Sequence, residues 1–289
     1  MRKILHPGLG KCGTTSKQLH YWPKVCRSIN WNFISKGKKE DKGLDKNVYE
    51  WFLDVTQKKN NIKKISEFKK NIFFSDEGLL ENRDFWDPEN YEKSLNYIYL
   101  NFDKDYEIIL TLRKPSDWLI SNYLQYVTDG GNLKIDQYYL NNEEYKKSKQ
   151  TNKFNLEKFN YKNLILNFKK KYKKVYILFY ELENFFLYKK IFFNEKSIKY
   201  FSDESKIEKK SISYISYILL FNLNKFRIFR KNKLIKYFIR KLDKYFFQYF
   251  FEFPKKRFIN KIKFDVDKLD EDYLKLVAGD GFEPPTFRL

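Results

Sequence analysis

At 289 residues the chain has the length of one large α/β domain or two small ones, and one domain with a basic C-terminal extension is expected. The formal charge of +21 suits a polyanionic partner such as nucleic acid, anionic lipid, charged polysaccharide or a phosphorylated cofactor, but Lys, Asn, Ile, Phe and Tyr are over-used together as in an AT-rich coding sequence, which lowers the weight of the charge. Only Cys12 and Cys26 are present, excluding a disulfide framework and a cysteine metal cluster; with no signal-peptide run and no window of roughly 18 apolar residues, a reducing cytoplasmic setting is expected.

In chain order, Ile4 to His6 reads as a short strand. The glycine-rich stretch "HPGLGKCGTTS" follows, and then a helix opened by Thr14, Thr15 and Ser16. Residues 28–61 are polar with scattered aromatics, and only Val48 to Gln57 reads as helix there. "NIFFSDEGLL", Asn71 to Leu80, starts as a buried parallel strand and turns polar at its end. "EIILTLR", Glu107 to Arg113, and "KVYILFYE", Lys174 to Glu181, are two further strands. Helix-length segments separate them: Pro88 to Leu100, Asp117 to Val127, and about 155–172. Strands alternating with helices predict an α/β fold with a parallel sheet. A ligand site is then expected beyond the carboxyl ends of the strands, where the glycine loop, Ser75-Asp76-Glu77 and Arg113 would converge.

From Ile212 onward the chain is long, basic and aromatic, with apolar residues at helical spacing (Ile235, Phe238, Leu242, Tyr245, Phe246, Tyr249, Phe253) among Lys233, Lys236, Arg240, Lys241 and Lys244. Three readings of this segment stand: an amphipathic helix capping the fold, a surface for an anionic acceptor, or a peripheral membrane contact beside a lipid-linked acceptor. Capping is favoured. No nucleic-acid-binding module is present, so no nucleic-acid partner is expected. Residues 266–289 are expected to form a tail without fixed structure, its last dozen residues "AGDGFEPPTFRL" being unlike the rest in composition.

The loop carries the chemistry. Gly8 and Gly13 have the spacing of a nucleotide-binding P-loop, yet Thr14 stands where that loop has lysine, and Lys11 lies inside the loop instead. Backbone N–H groups at a helix start converge on one spot, where the helix dipole adds partial positive charge, so the loop is suited to a tetrahedral oxyanion. No strand ending in a metal-binding Asp follows as phosphoryl transfer from a triphosphate would need.

"HPGLGKCGTTSKQL" resembles the 5′-phosphosulfate-binding loop of sulfotransferases, P-K-[TS]-G-T-T-x-L. The match runs through Lys11, Gly13, Thr14 and Thr15, with Leu19 of the following helix in the packing role of the motif's leucine two positions later than the motif has it, while Gly10 replaces the common proline and Cys12 the common hydroxyl residue. "TLRKPSDWLISNYLQYV", Thr111 to Val127, is similar to the family's 3′-phosphate element, with Arg113 and Ser121 eight residues apart. "VYILFYELENF" looks like a later core strand, and beyond Ile191 the resemblance is weak. The resemblance implies a P-loop nucleoside-triphosphate-hydrolase-like sulfotransferase domain over residues 1–265. It also implies transfer of a sulfuryl group from 3′-phosphoadenosine-5′-phosphosulfate, without a metal, to a hydroxyl or amine of an acceptor; the positive charge and many aromatics, not the resemblance, point to a polysaccharide or glycolipid as that acceptor. Lys11 would stabilise charge on the leaving oxygen. Gly10, Lys11, Cys12, Gly13, Thr14, Thr15 and Ser16 would hold the 5′-phosphate side, and Arg113 and Ser121 the 3′-phosphate. Glu77 is the candidate base, with Asp76 its competitor.

Each residue also has a structural reading. Arg113 could be a paired strand-end arginine, Ser121 a plain helix serine and Glu77 a helix-cap carboxylate. His6 and His20 are read as structural. Cys12, at a helix N-terminus, is expected to have a lowered pKa. Two other readings of the whole stay open: a P-loop nucleotide kinase or other phosphoryl transferase, and a non-catalytic relative that binds a nucleotide or polyanion.

Overall fold

The computed structural model describes residues 1–13, 17–35, 46–57, 70–80, 88–148, 153–181, 191, 212–226, 229, 232–247 and 253–278. The strands are β1 Lys3–His6, β2 Asn32–Ser35, β3 Ile72–Ser75, β4 Tyr106–Leu112, β5 Tyr139–Leu140, β6 Phe154–Asn155 and β7 Val175–Phe179. The principal helices are α1 Trp22–Ser28, α2 Lys46–Thr56, α3 Pro88–Asn101, α4 Pro115–Thr128, α5 Asn142–Lys147, α6 Tyr161–Lys171, α7 Tyr214–Leu223, α8 Lys233–Leu242, α9 Lys255–Ile259 and α10 Val266–Ala278. By internal contacts the chain divides into two units where one domain was expected: residues 1–113 with 160–208, and residues 114–159 with 209–289.

The first unit is α/β. Its sheet has the order β2-β3-β1-β4-β7 and every pairing is parallel. β4 is buried at all seven positions, as expected of a central parallel strand whose two faces are both covered. Because side chains alternate along a strand, Ile4, Phe73, Ile109 and Leu178 share one face and pack with Trp22 and Val25 of α1. Leu5, Phe74 and Ile108 point to the other face. There Trp51 of α2 packs edge-on to Phe74 and to Phe102, which follows α3, and Tyr99 of α3 meets Phe168 of α6. β1 and β4 are neighbours whose onward connections leave in opposite directions, the first toward β2 and the second toward β7. Their carboxyl ends therefore frame the topological switch point at which open α/β sheets bind ligands.

β2 was not anticipated: it is only four residues long and lies at the edge of the sheet, in a stretch read as polar. The expected helix at 155–172 begins at Tyr161, after β6 and a 3₁₀ turn over Leu156–Lys158.

At the amino ends of the strands, the Glu107 carboxylate accepts hydrogen bonds from Arg2 Nε (3.0 Å), Lys174 Nζ (3.3 Å) and Tyr176 Oη (3.1 Å). Burial alone would raise its pKa. The hydrogen bonds and charge of Arg2, with Tyr176 and Lys174, more than reverse this and hold the carboxyl below its ordinary value.

The second unit is built around α4, which is buried on nearly its whole circumference, with α7, α9 and α10 packed against it. Its core is rich in tyrosine. Tyr126 stacks on Tyr138 with ring centroids 4.3 Å apart, and the Tyr139 hydroxyl donates to the Leu119 carbonyl. Both ends of α4 are capped from elsewhere in the unit: Asp270 Oδ1 accepts the Ser116 N–H (2.9 Å), and the Asn224 side chain donates to the carbonyls of Val127 and Gly131. Asp270 lies on α10, within the segment expected to lack fixed structure. That expectation is corrected for 266–278, where Val266, Asp270 and Tyr273 are buried one helical turn apart, and residues 279–289 lie outside the described set. Among the described residues no helix is long and apolar enough to cross a membrane.

Candidate anion-binding site

The loop after β1 is shaped by three left-handed residues: Gly8 (φ 55°), Lys11 (φ 67°) and Gly13 (φ 69°). Glycine adopts this region freely, whereas a lysine there costs roughly 1–2 kcal/mol. Strain of this kind persists only where surrounding contacts impose it, and it concentrates at functional sites. Alternation in the sign of φ along Lys11-Cys12-Gly13 is the backbone pattern of an anion-binding nest. Thr14, Thr15 and Ser16 lie outside the described residues. The chain resumes as a π-helical turn over Lys17–Tyr21 that leads into α1, with the Lys17 N–H bonded to the Gly13 carbonyl (3.3 Å).

Arg113 holds the loop. It lies just past the end of β4, and its Nη1 donates to the Lys11 carbonyl (2.9 Å). Its guanidinium carbon is 4.8 Å from the centre of the Tyr180 ring, a cation–π distance. Two further bonds fix the backbone here: the Tyr161 hydroxyl donates to the Arg113 carbonyl (2.9 Å), and the Tyr180 N–H extends the β4–β7 ladder by bonding the Leu112 carbonyl (2.7 Å). The Tyr180 ring also closes over Gly13, leaving no room for a Cβ. After all this, Arg113 Nε is buried and has no hydrogen-bond partner among the described residues. A buried guanidinium N–H without an acceptor is costly, and an anion at this end of the sheet would supply one.

Under the loop, the polar side chains of three neighbouring strands join. His6 Nδ1 lies 2.9 Å from Ser75 Oγ and His6 Nε2 lies 3.0 Å from Thr111 Oγ1, while the Gln18 amide donates to Ser75 Oγ. Trp22 packs edge-on to the imidazole at 4.5 Å. Burial, with Lys17 nearby adding to it, lowers the His6 pKa well below its ordinary value, so the ring is neutral and both nitrogens are occupied in the scaffold. His20 sits in the π-helical turn.

The two candidate carboxylates at the end of β3 differ. Asp76 is buried and its Oδ1 accepts the Gly78 N–H (2.6 Å), an Asx-type turn that starts the 3₁₀ segment Glu77–Leu80. Glu77 is half-buried and close enough to Cys12 to act on its thiol. The lowered pKa expected for Cys12 is corrected: complete burial pushes the thiol well up, against the opposing charge of Arg113 and with the carboxylates of Glu77 and Glu181 adding to it. Cys12 thus lies within electrostatic reach of Lys17, Glu77, Arg113 and Glu181, the last three of which follow the carboxyl ends of β3, β4 and β7.

The first unit thus brings together Gly10, Lys11, Cys12, Gly13, Glu77 and Arg113. Ser121 belongs to the second unit, where it is buried on α4. Trp118, Tyr123 and Tyr126 on the same helix are core residues, as their helical spacing implies. Three residues of the site were missed in the sequence: Tyr180 and Tyr161, which position Arg113, and Lys17. Tyr180 stands directly after an apolar strand run, at the position where Arg113 follows β4, and this parallel was the available signal. Among the described residues no group of His, Cys, Asp and Glu is arranged to hold a metal ion. Comparison of the chain with protein-family models, with curated proteins and with solved structures finds no match.

Proposed function

We propose that the chain is a sulfotransferase that takes its sulfuryl group from 3′-phosphoadenosine-5′-phosphosulfate and passes it to a hydroxyl or amine of an acceptor, with a saccharide as the favoured class. The observation that carries the reading is the buried Arg113 Nε, without a hydrogen-bond partner among the described residues, beside a loop held in a strained conformation at Lys11. An anion would accept from the guanidinium and suit the nest-like backbone of the loop.

The donor, when bound, supplies an activated sulfuryl group on a phosphate leaving group. In this reading the backbone from Gly10 to Gly13, with Thr14, Thr15 and Ser16, holds the 5′-phosphate. The Lys11 cation stabilises charge that develops on the departing oxygen, where it counts only in the transition state. Arg113 grips the 3′-phosphate with its planar fork, and Ser121 is assigned to that phosphate on its spacing from Arg113 alone. Glu77, half-buried at the end of β3, takes the acceptor's proton. Glu181, past the end of β7, is the carboxylate to test beside it. Both cysteines are free and buried, which fits a reducing cytoplasmic setting.

Calorimetric titration of 3′-phosphoadenosine-5′-phosphate, adenosine 5′-monophosphate and ATP, with and without Mg²⁺, tests the reading. The bisphosphate is expected to bind best and without metal. Arg113→Ala is expected to weaken it by roughly 10- to 100-fold, the range of a charge-assisted hydrogen bond. Preference for ATP with Mg²⁺ would refute the proposal in favour of a kinase, and bisphosphate binding without sulfuryl transfer to any acceptor would identify a non-catalytic relative.

A further inference from the structure

Apolar surface in this protein is unevenly distributed. Nine of the thirteen exposed large hydrophobic residues among the described residues fall between Ile218 and Phe246. Most of these belong to α8 and the turn of π-helix that continues it. Leu234 is 79% exposed, Tyr237 63%, Phe238 61% and Tyr245 66%, whereas Ile239 and Asp243 are buried. Leu234, Tyr237, Phe238 and Leu242 follow the i, i+3, i+4, i+8 pattern and so share one face of the helix. Ile239 and Asp243 stand on the other, where Asp243 accepts the Ser213 N–H (3.0 Å) and ties the helix to α7. This is an inverted amphipathic helix: its longest apolar stripe faces away from the fold.

Charge accompanies the stripe. Lys233, Lys236, Arg240, Lys241 and Lys244 are the ionisable side chains of this segment apart from Asp243, which is buried and engaged, and the two tyrosines. An Asn232 cap that accepts the N–H groups of Leu234 and Ile235 starts the helix. Exposed aromatic and aliphatic residues flanked by Lys and Arg, without exposed carboxylates, are the surface of an interfacial helix, which buries its apolar face among acyl chains while its cations meet anionic headgroups. An anionic polysaccharide would use the cations but leave Leu234 and Phe238 unexplained. Pairing with a second copy through the same patch would bring like charges together.

We propose that α8 with residues 243–247 is a membrane-docking element that binds the surface of bilayers containing anionic phospholipid. This inference stands apart from the sulfotransferase reading, since none of its residues belongs to the anion-binding site.

The test uses the full chain in flotation with vesicles of phosphatidylcholine alone and of phosphatidylcholine with phosphatidylserine, at several salt concentrations. Binding is expected only with phosphatidylserine and is expected to weaken as salt rises. The double variant Leu234→Glu/Phe238→Glu should abolish it, and Lys241→Glu should reduce it roughly five-fold or more, as loss of one cation near such a surface implies. Because these side chains are exposed, thermal unfolding of the variants should match the parent. A second readout places an environment-sensitive dye on Phe238→Cys, the native cysteines being buried; its emission should rise with anionic vesicles and stay unchanged with heparin. Absence of vesicle binding would overturn the proposal. So would binding that Leu234→Glu/Phe238→Glu leaves intact, a dye response to heparin alone, or a dimer that the same double variant dissolves.

Discussion

Gly13→Ala probes the construction of the loop. A Cβ at Gly13 would overlap Cε2 of Tyr180 and lie 2.9 Å from its Cδ2, and the backbone there has φ 69°. Two costs follow. The left-handed conformation penalises alanine by roughly 1–2 kcal/mol whatever surrounds it. Forcing the ring aside adds the cost of overpacking, roughly 1–3 kcal/mol, because Tyr180 is held beneath Arg113 and its backbone belongs to the β4–β7 ladder. The sum is a destabilisation of roughly 2–5 kcal/mol, read from urea unfolding at constant slope. The same substitution in a Tyr180→Ala background removes the steric part and should cost only the conformational part, roughly 1–2 kcal/mol. A cost that is equal in the two backgrounds would refute the packing argument, and no cost in either would refute the loop conformation itself.

Acidification should destabilise the protein in two steps. His6 has a lowered pKa in the fold, so as pH falls below about 6.5 the unfolded chain takes up a proton that the native state refuses, and stability declines from there. Glu107 is also depressed; its contribution is complete above the unfolded glutamate value of about 4.3 and is lost as pH falls below it. Stability measured against pH in Glu107→Gln should lack the lower step and keep the upper one. Arg2→Ala leaves that carboxylate without its principal partner and should cost roughly 1–3 kcal/mol in denaturant unfolding, a partly screened version of a broken buried pair. Cys12 should resist a thiol reagent at pH 8 in the native state and react on unfolding; rapid native labelling would contradict its burial. Arg113→Lys should retain more bisphosphate affinity than Arg113→Ala but less than the parent, since it keeps the charge and loses the fork.

Much of the first unit was legible because parallel strands announce themselves as short apolar runs. "IFF" before Ser75 and "EIILTL" before Arg113 needed no context, and placing the site at the carboxyl ends followed from strand–helix alternation. β2 escaped because four residues with a polar member at each end resemble any loop that contains an aromatic. Cys12 was misjudged for a related reason: position at a helix start argues for a reactive thiol, but burial, which only the packed structure reveals, outweighs it. The partition into two units was not legible, since nothing in the composition at Lys114 or Asn160 marks a boundary. Nor could spacing reveal that the amphipathic pattern of α8 faces outward, because periodicity defines two faces and does not say which one meets the protein.

The Tyr161–Arg113 hydrogen bond bears on how the molecule can be assembled and rearranged. It joins the residue where the chain leaves the first unit to the region where it returns, so residues 114–159 form an excursion with adjacent ends. β7 cannot complete the sheet until the whole excursion has left the ribosome, which makes the last strand a late step in folding. The edge of the sheet that forms last also carries Tyr180, so the ring contact with Arg113 is made only when that strand arrives.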